Sequence, residues 1–191
     1  MMKVLGIYGS PREEGNSDLL LGKVLGGAKT AGAEVSSIRP CDLDISGCLE
    51  CGGCDETGEC VIDDDMQGVY PEMEEADVII VSSPIFFYGF PSQLKALIDR
   101  SQAMWSKRML EKAPAERRKY DSGKGYLVAV GATKGKNLFN GVEFVAKYFF
   151  DALDMSYESG LFYSGVEGKG AIAENREAMN DAFDFGKQVS S

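Results

Sequence analysis

Five short apolar runs alternate with segments whose apolar residues recur at helical spacing, and no other feature of this 191-residue chain limits its fold so strongly. KVLGIYG at residues 3–9 reads as a strand, and SDLLLGKVLGGAKTAGA at 17–33 as the helix after it. EVSSIRP at 34–40 is a second strand ended by its proline, and MQGVYPEMEEA at 66–76 has room for one or two helical turns before the buried strand ADVIIVSSP at 76–84. SQLKALIDRSQAMW at 92–105 sets Leu94, Leu97, Ile98 and Met104 near one helical face, with Ser92 as the expected N-cap. SKRMLEKAPAERRKYDSGKG at 106–125 reads as basic and irregular. YLVAVGA at 126–132 and MSYESGLFYSG at 155–165 are the last strands, and GVEFVAKYFFDAL at 141–153 and ENREAMNDAFDFGKQV at 174–189 the last helices. Parallel strands need crossovers, so this order predicts an α/β domain over residues 1–191, doubly wound, its parallel sheet covered on both faces. Ligands in such folds bind beyond the carboxyl ends of the strands, at the switch point, which directs attention to loops 9–17, 83–91 and 131–137.

Charge and composition narrow the chemistry. A formal net charge of -10 repels nucleic acid and anionic membranes, so neither is an expected partner and an anionic ligand needs a local device. No apolar run approaches the ~18–20 residues of a membrane span, and MMKVLGIYGS has no signal-peptide pattern, so a soluble cytoplasmic protein is expected. The chain has no histidine, which removes the commonest general base, the Ser-His and Cys-His pairs and most catalytic zinc sites. The chemistry is therefore expected to reside in a cofactor, and no side chain is assigned as a catalytic acid or base.

Three loops have the composition of a binding site. In GSPREEGNS, residues 9–17, the glycines allow tight backbone, Ser10, Asn16 and Ser17 supply short polar groups, Arg12 supplies positive charge, and the next helix offers unpaired N–H groups. An ordinary polar turn would look similar, and the loop matches neither the dinucleotide fingerprint nor the P-loop. In SSPIFFYGFPSQLK, residues 82–95, two prolines and a glycine exclude a helix or central strand, so Phe86, Phe87 and Tyr88 cannot all be ordinary core residues. They either meet a flat ligand or a partner subunit, or cover the edge of the core. GATKGK, residues 131–136, is a turn whose amides can reach the edge of a heterocycle, although turns are rich in glycine anyway.

Together these loops fit a mononucleotide with a flat ring. GSPR followed by GNS, then SSPIFFYGFPSQLKALIDR, resembles the NAD(P)H-dependent FMN reductase family over most of the chain. The resemblance implies a flavodoxin-like three-layer sandwich with a five-stranded sheet in the order 2-1-3-4-5. It also implies FMN, with Ser10, Arg12, Asn16 and Ser17 around the phosphate, Pro84, Ile85, Phe86, Phe87, Tyr88 and Gly89 along the ring, and Gly131, Ala132 and Thr133 as a third contact.

Four of the five cysteines, Cys48, Cys51, Cys54 and Cys60, fall in CLECGGCDETGEC with the spacing C-x2-C-x2-C-x5-C, inside a loop at residues 41–65. Thiolates close in sequence are what an iron-sulfur cage takes, and the intervening glycines let the backbone bend around it. Three alternatives stay open: a four-thiolate zinc, although structural zinc sites usually separate two C-x2-C pairs by a longer segment; a redox disulfide such as Cys51 with Cys54; or a related flavin reductase that keeps the cysteines without a cluster. Cys41 lies outside the spacing and reads as a small semi-buried residue. The motif stands just ahead of DDDM and so resembles the iron-sulfur flavoproteins, which carry FMN and a 4Fe-4S cluster.

These resemblances imply an oxidoreductase moving electrons between a cluster and FMN, with NAD(P)H as one donor and a small molecule or a protein such as ferredoxin as redox partner, in a homodimer or homotetramer. A cluster-free NAD(P)H-dependent FMN or quinone reductase and a non-enzymatic flavodoxin-like carrier are the alternatives. The mixed charges of residues 107–119 read as a solvated or subunit-contact segment.

Overall fold

Strand β1 (Lys3–Tyr8) is an inner strand of the five-stranded sheet in the computed structural model, which describes residues 1–190. It pairs in parallel with β2 (Glu34–Ile38) on one side and β3 (Val78–Pro84) on the other, and the sheet continues through β4 (Gly123–Gly131) to β5 (Met155–Ser164). The order is β2-β1-β3-β4-β5, as the resemblance implies. Alternation along each strand divides the core in two. Leu5, Ile7, Ile79, Val81, Leu127 and Ala129 pack toward α2 (Met66–Glu75), α3 (Ser92–Arg100) and α5 (Asn140–Ala152). Val4, Val78, Ile80, Tyr126, Val128 and Val130 face α1 (Asn16–Thr30) and α6 (Arg176–Val189).

All three loops singled out above leave carboxyl ends of adjacent central strands, so the topology alone brings them to one edge. Helices α1 and α6 cross in near backbone contact at Gly27 and Gly186, where a Cβ at either position would meet the opposing main chain.

Four details depart from the sequence reading. Residues 92–105 form not one helix but α3 and then α4 (Gln102–Glu111): Ser101 turns its backbone to ψ -1°, its amide is shared between the Leu97 and Ile98 carbonyls, and its hydroxyl donates to the Leu97 carbonyl as well. Ser92 is not the N-cap: Pro91 occupies that position, and the Ser92 hydroxyl donates to the Gln93 side chain instead. Residues 66–75 make a full ten-residue helix. The basic segment is helical to Glu111 and partly internal, since Arg108 is buried against Asp151 and Asp154 while Lys112 bridges Asp121 and Asp154. No helix of the described residues is long and apolar enough to cross a membrane.

Candidate functional site

The β1–α1 loop is shaped by its own side chains. The Ser10 hydroxyl both accepts from the Arg12 amide and donates to the Arg12 carbonyl, at 3.0 Å in each case, which curls the chain back on itself. Gly15 then enters α1 in extended conformation and no side chain caps the helix, so its first amides point outward unpaired. The Ser17 hydroxyl is buried there without a hydrogen-bond partner, in a residue only 2% exposed. A buried donor of this kind is costly unless something fills its valence.

These groups open into a cavity of about 310 Å³. Of the sequence-predicted residues, Ser10, Arg12, Asn16, Ser17, Pro84, Ile85, Phe86 and Ala132 line it. Val130 and Val166 add to the apolar side, and Lys169 joins Arg12 on the charged side. The β5–α6 connection that carries Val166, Glu167 and Lys169 is a fourth wall the sequence reading missed, although it too leaves a carboxyl end of a strand in the same parallel sheet. Asn16 holds it in place: its amide donates to the Gly168 carbonyl at 2.8 Å and its carbonyl accepts from the Ile172 amide at 3.1 Å.

Phe87, Tyr88, Gly89, Gly131 and Thr133 lie beside this cavity rather than along it. Phe86 and Gly89 exchange backbone hydrogen bonds at 3.0 and 2.9 Å, closing a two-residue hairpin turn with Phe87 and Tyr88 at its tip. Both tip residues have positive φ, 49° and 62°, a conformation bulky side chains rarely adopt, and Phe87 is fully exposed. The Gly131 and Thr133 carbonyls accept from the Val166 and Gly165 amides, tying the third loop to the fourth.

Behind the loop sits a buried ion pair. Arg39 donates to Asp18 at 2.8 Å and to the Ser10 carbonyl at 3.1 Å, and its guanidinium lies 4.8 Å from the centre of the Tyr8 ring. Burial pushes the Asp18 carboxyl above its ordinary range, against the opposing pull of Arg39. Cys41, half-buried as its place in the sequence suggests, lies in the short turn after β2 and donates to the same Ser10 carbonyl at 3.5 Å, so it packs against the loop.

A second cavity, about 650 Å³, is lined by Cys48, Cys51, Cys54 and Cys60 together. Ile62, Arg100, Gln102 and Ala103 close its inner side, and none of its lining residues belongs to the first cavity. All five cysteines are free thiols. Among the described residues no group of three or more Cys, Asp or Glu side chains is placed to hold a metal ion, although the four cysteines line the same cavity. Two of them already accept hydrogen bonds: Cys48 from the Glu50 amide at 3.4 Å and Cys54 from the Ser106 hydroxyl at 3.6 Å. Gly58, with φ 74°, lets the loop turn directly against Lys107 of α4, where any Cβ would collide.

The base of the cysteine loop is tied by the acidic run that follows it. Asp64 accepts from the Ser46 and Met66 amides at 3.0 and 3.1 Å and from both terminal nitrogens of Arg100 at 2.6 and 3.0 Å; Asp65 accepts from the Asp44 amide at 2.7 Å. Burial works against the Asp64 charge, but Arg100 and the two amides overcome it and hold the carboxyl below its ordinary value. A depressed folded-state pKa stabilises fully above the unfolded carboxylate value of about 3.9 and loses that contribution as pH falls through the folded value. Amide exchange in residues 44–66 of the iron-free protein is therefore expected to be flat, once corrected for intrinsic rates, from about pH 7 to about pH 5 and to accelerate only below about pH 4. A midpoint near pH 6 would mean that Asp64 does not tie the loop.

Comparison with known proteins adds an independent line. The family model described as NADPH-dependent FMN reductase matches residues 2–157. An iron-sulfur flavoprotein of Methanocaldococcus jannaschii is 44% identical over 103 residues, covering 54% of this chain and 53% of the relative. An iron-sulfur flavoprotein of Methanosarcina thermophila is 43% identical over 100 residues, covering 52% of each. The matched segment thus spans about half the length of these curated relatives. Among solved structures, an NAD(P)H:quinone oxidoreductase from Methanothermobacter marburgensis superposes with TM-score 0.74 at 13% identity, covering 100% of this chain and 96% of that one. At that identity the likeness establishes the shared flavodoxin-like fold.

Proposed function

This chain belongs to the NADPH-dependent FMN reductase family, and on that premise we propose that it is an FMN-dependent oxidoreductase of the iron-sulfur flavoprotein type, with FMN in the first cavity and a 4Fe-4S cluster in the second. The observation that carries the reading is that all four motif cysteines line one cavity, while Arg12, Ser17, Ile85 and Phe86 line a separate one.

The residues present fit both groups. The uncapped α1 amides and the orphaned Ser17 hydroxyl are donors suited to an anion, and Arg12 and Lys169 outweigh Glu167 to leave the lining net positive in an acidic chain. Pro84, Ile85, Phe86 and Val166 offer an apolar wall to a ring system, and the Ala132 segment lies where backbone amides can reach its edge. Cys48, Cys51, Cys54 and Cys60 would hold the cluster, whose thiolate preference they meet in number and type. When bound, FMN supplies hydride and single-electron chemistry and the cluster single-electron transfer; the protein contributes position, charge and exclusion of water.

Ser17 is the sharpest test of the first cavity. Ser17→Ala is expected to weaken FMN binding by about tenfold to a hundredfold, the value of one hydrogen bond to a charged group at about 1.5–3 kcal/mol. The same change should leave the flavin-free protein as stable or slightly more so, because it removes an unsatisfied buried hydroxyl. Fluorescence titration with FMN and thermal unfolding of the apoprotein read the two effects. Unchanged affinity would show that no phosphate sits at Ser17. Steady-state oxidation of NADPH or NADH then sorts the reaction: rapid turnover by protein stripped of iron favours the cluster-free reductase, whereas turnover that needs iron favours the iron-sulfur flavoprotein.

A further inference from the structure

We infer that Arg100 is a positioning residue for the four-cysteine site, clamping both limbs of the cysteine loop and placing a fixed positive charge behind Cys60; the electrostatic part rests on the proposed cluster. Arg100 is the last residue of α3, and its side chain is completely buried. A buried guanidinium must place its donors well or destabilise the fold. Here one terminal nitrogen donates to the Ser46 carbonyl at 3.0 Å and to Asp64, and the other donates to Asp64 and to the Ile62 carbonyl at 3.4 Å. Ser46 precedes the first cysteine of the motif and Ile62 follows the last, so one planar fork spans the entry and exit of the loop.

Two further contacts aim this group at the site. Arg100 itself lines the cavity alongside the four cysteines, and its Nε is buried with no hydrogen-bond partner. Tyr70 of α2 donates its hydroxyl to the Arg100 carbonyl at 2.9 Å, fixing the end of α3 against the helix that follows the loop. Arg100 and Cys60 line the same cavity, and the guanidinium holds the carbonyl of Ile62, just beyond that cysteine in sequence. A cluster held there would gain negative charge on reduction, and the Arg100 guanidinium would favour that state by offsetting the Asp64 carboxylate that it pairs with at 2.6 and 3.0 Å. Arg100 would thus raise the potential of a cluster bound there, besides tying together the two limbs of the loop that carries its ligands. The groups around metal ligands commonly tune a site in this way.

Two variants separate clamp from charge. In iron-free protein, Arg100→Lys keeps the cation but loses the fork, so amide exchange in residues 46–62 should accelerate about tenfold while the sheet stays protected. Exchange indistinguishable from the parent would overturn the clamp. In anaerobically loaded protein, Arg100→Gln should lower the cluster's reduction equilibrium about tenfold, a shift of about 59 mV to more negative potential for one electron, while Arg100→Lys shifts it by less than half as much. Equal shifts in the two variants, or none, would overturn the electrostatic role. FMN content should match the parent in both. A parent protein that takes up no iron would sink the cluster reading and the electrostatic role with it, whereas the exchange result would still decide the clamp.

Discussion

Replacing Cys54 by serine is expected to strip iron from the protein and leave its flavin in place. Cys54 is half-buried on the inner side of the cavity, where the Ser106 hydroxyl already donates to its sulfur. Serine keeps the size and the hydrogen-bonding capacity but offers a neutral hydroxyl where a cluster takes a thiolate. Loss of an outer-shell partner alone commonly costs a metal site about 10–100-fold in affinity, so loss of a ligand should cost at least about 100-fold. The flavin should be spared, because the two cavities share no lining residue. Metal analysis and flavin absorbance on the same anaerobic sample read both quantities. Loss of FMN together with iron would mean that the two sites are not separate.

Gly27→Ala is expected to destabilise the fold although alanine is the better helix former. Gly27 lies in α1 facing α6, and a Cβ there would strike the Phe183 carbonyl and come within 3.0 and 3.1 Å of the Phe183 carbonyl carbon and the Lys187 nitrogen. All three atoms are main chain, so no rotamer change relieves the contact and α6 itself has to shift. Helix propensity favours alanine by about 0.8–1.0 kcal/mol, while overpacking of this kind costs about 1–3 kcal/mol or more, so the clash wins. With three main-chain contacts the cost lies at the upper end, and a net loss of up to about 2 kcal/mol lowers Tm by up to roughly 4–8 °C for a domain of this size. Gly26 supplies the control, since a Cβ there meets nothing within 4 Å and Gly26→Ala should stabilise. Calorimetry showing Gly27→Ala as stable as the parent would mean that α1 and α6 are not in backbone contact.

The sheet was legible because its signal is local. Each strand is a short apolar run closed by a turn residue, and parallel order follows from the helices between them. The break at Ser101 was not, since a serine hydroxyl returning to Leu97 looks in sequence like any polar residue within a helix. Loops 9–17 and 83–91 were found by their composition, whereas Lys169 lies in GVEGKG, which reads like any charged, glycine-rich surface turn and is fixed to the site by Asn16, far away in sequence. Asn16 shows the converse: its residue type pointed to a phosphate, and the fold commits both ends of its side chain to the fourth loop. Arg100 ends a motif that was recognised as a whole, yet its pairing with Asp64 spans 36 residues and exists only once α3 packs over the cysteine loop. The DDDM run was equally visible as acidic charge and silent about its inward-facing member.

What joins these observations is the claim that one small α/β domain carries a flavin and a cluster in separate cavities. Purification under anaerobic conditions, with iron, sulfide and flavin measured on the same sample alongside its absorption spectrum, tests it most directly. About one FMN and about four irons with matching sulfide per chain are expected, with a broad cluster absorption beneath the flavin bands. Flavin bound at full occupancy with no iron under those conditions would contradict it.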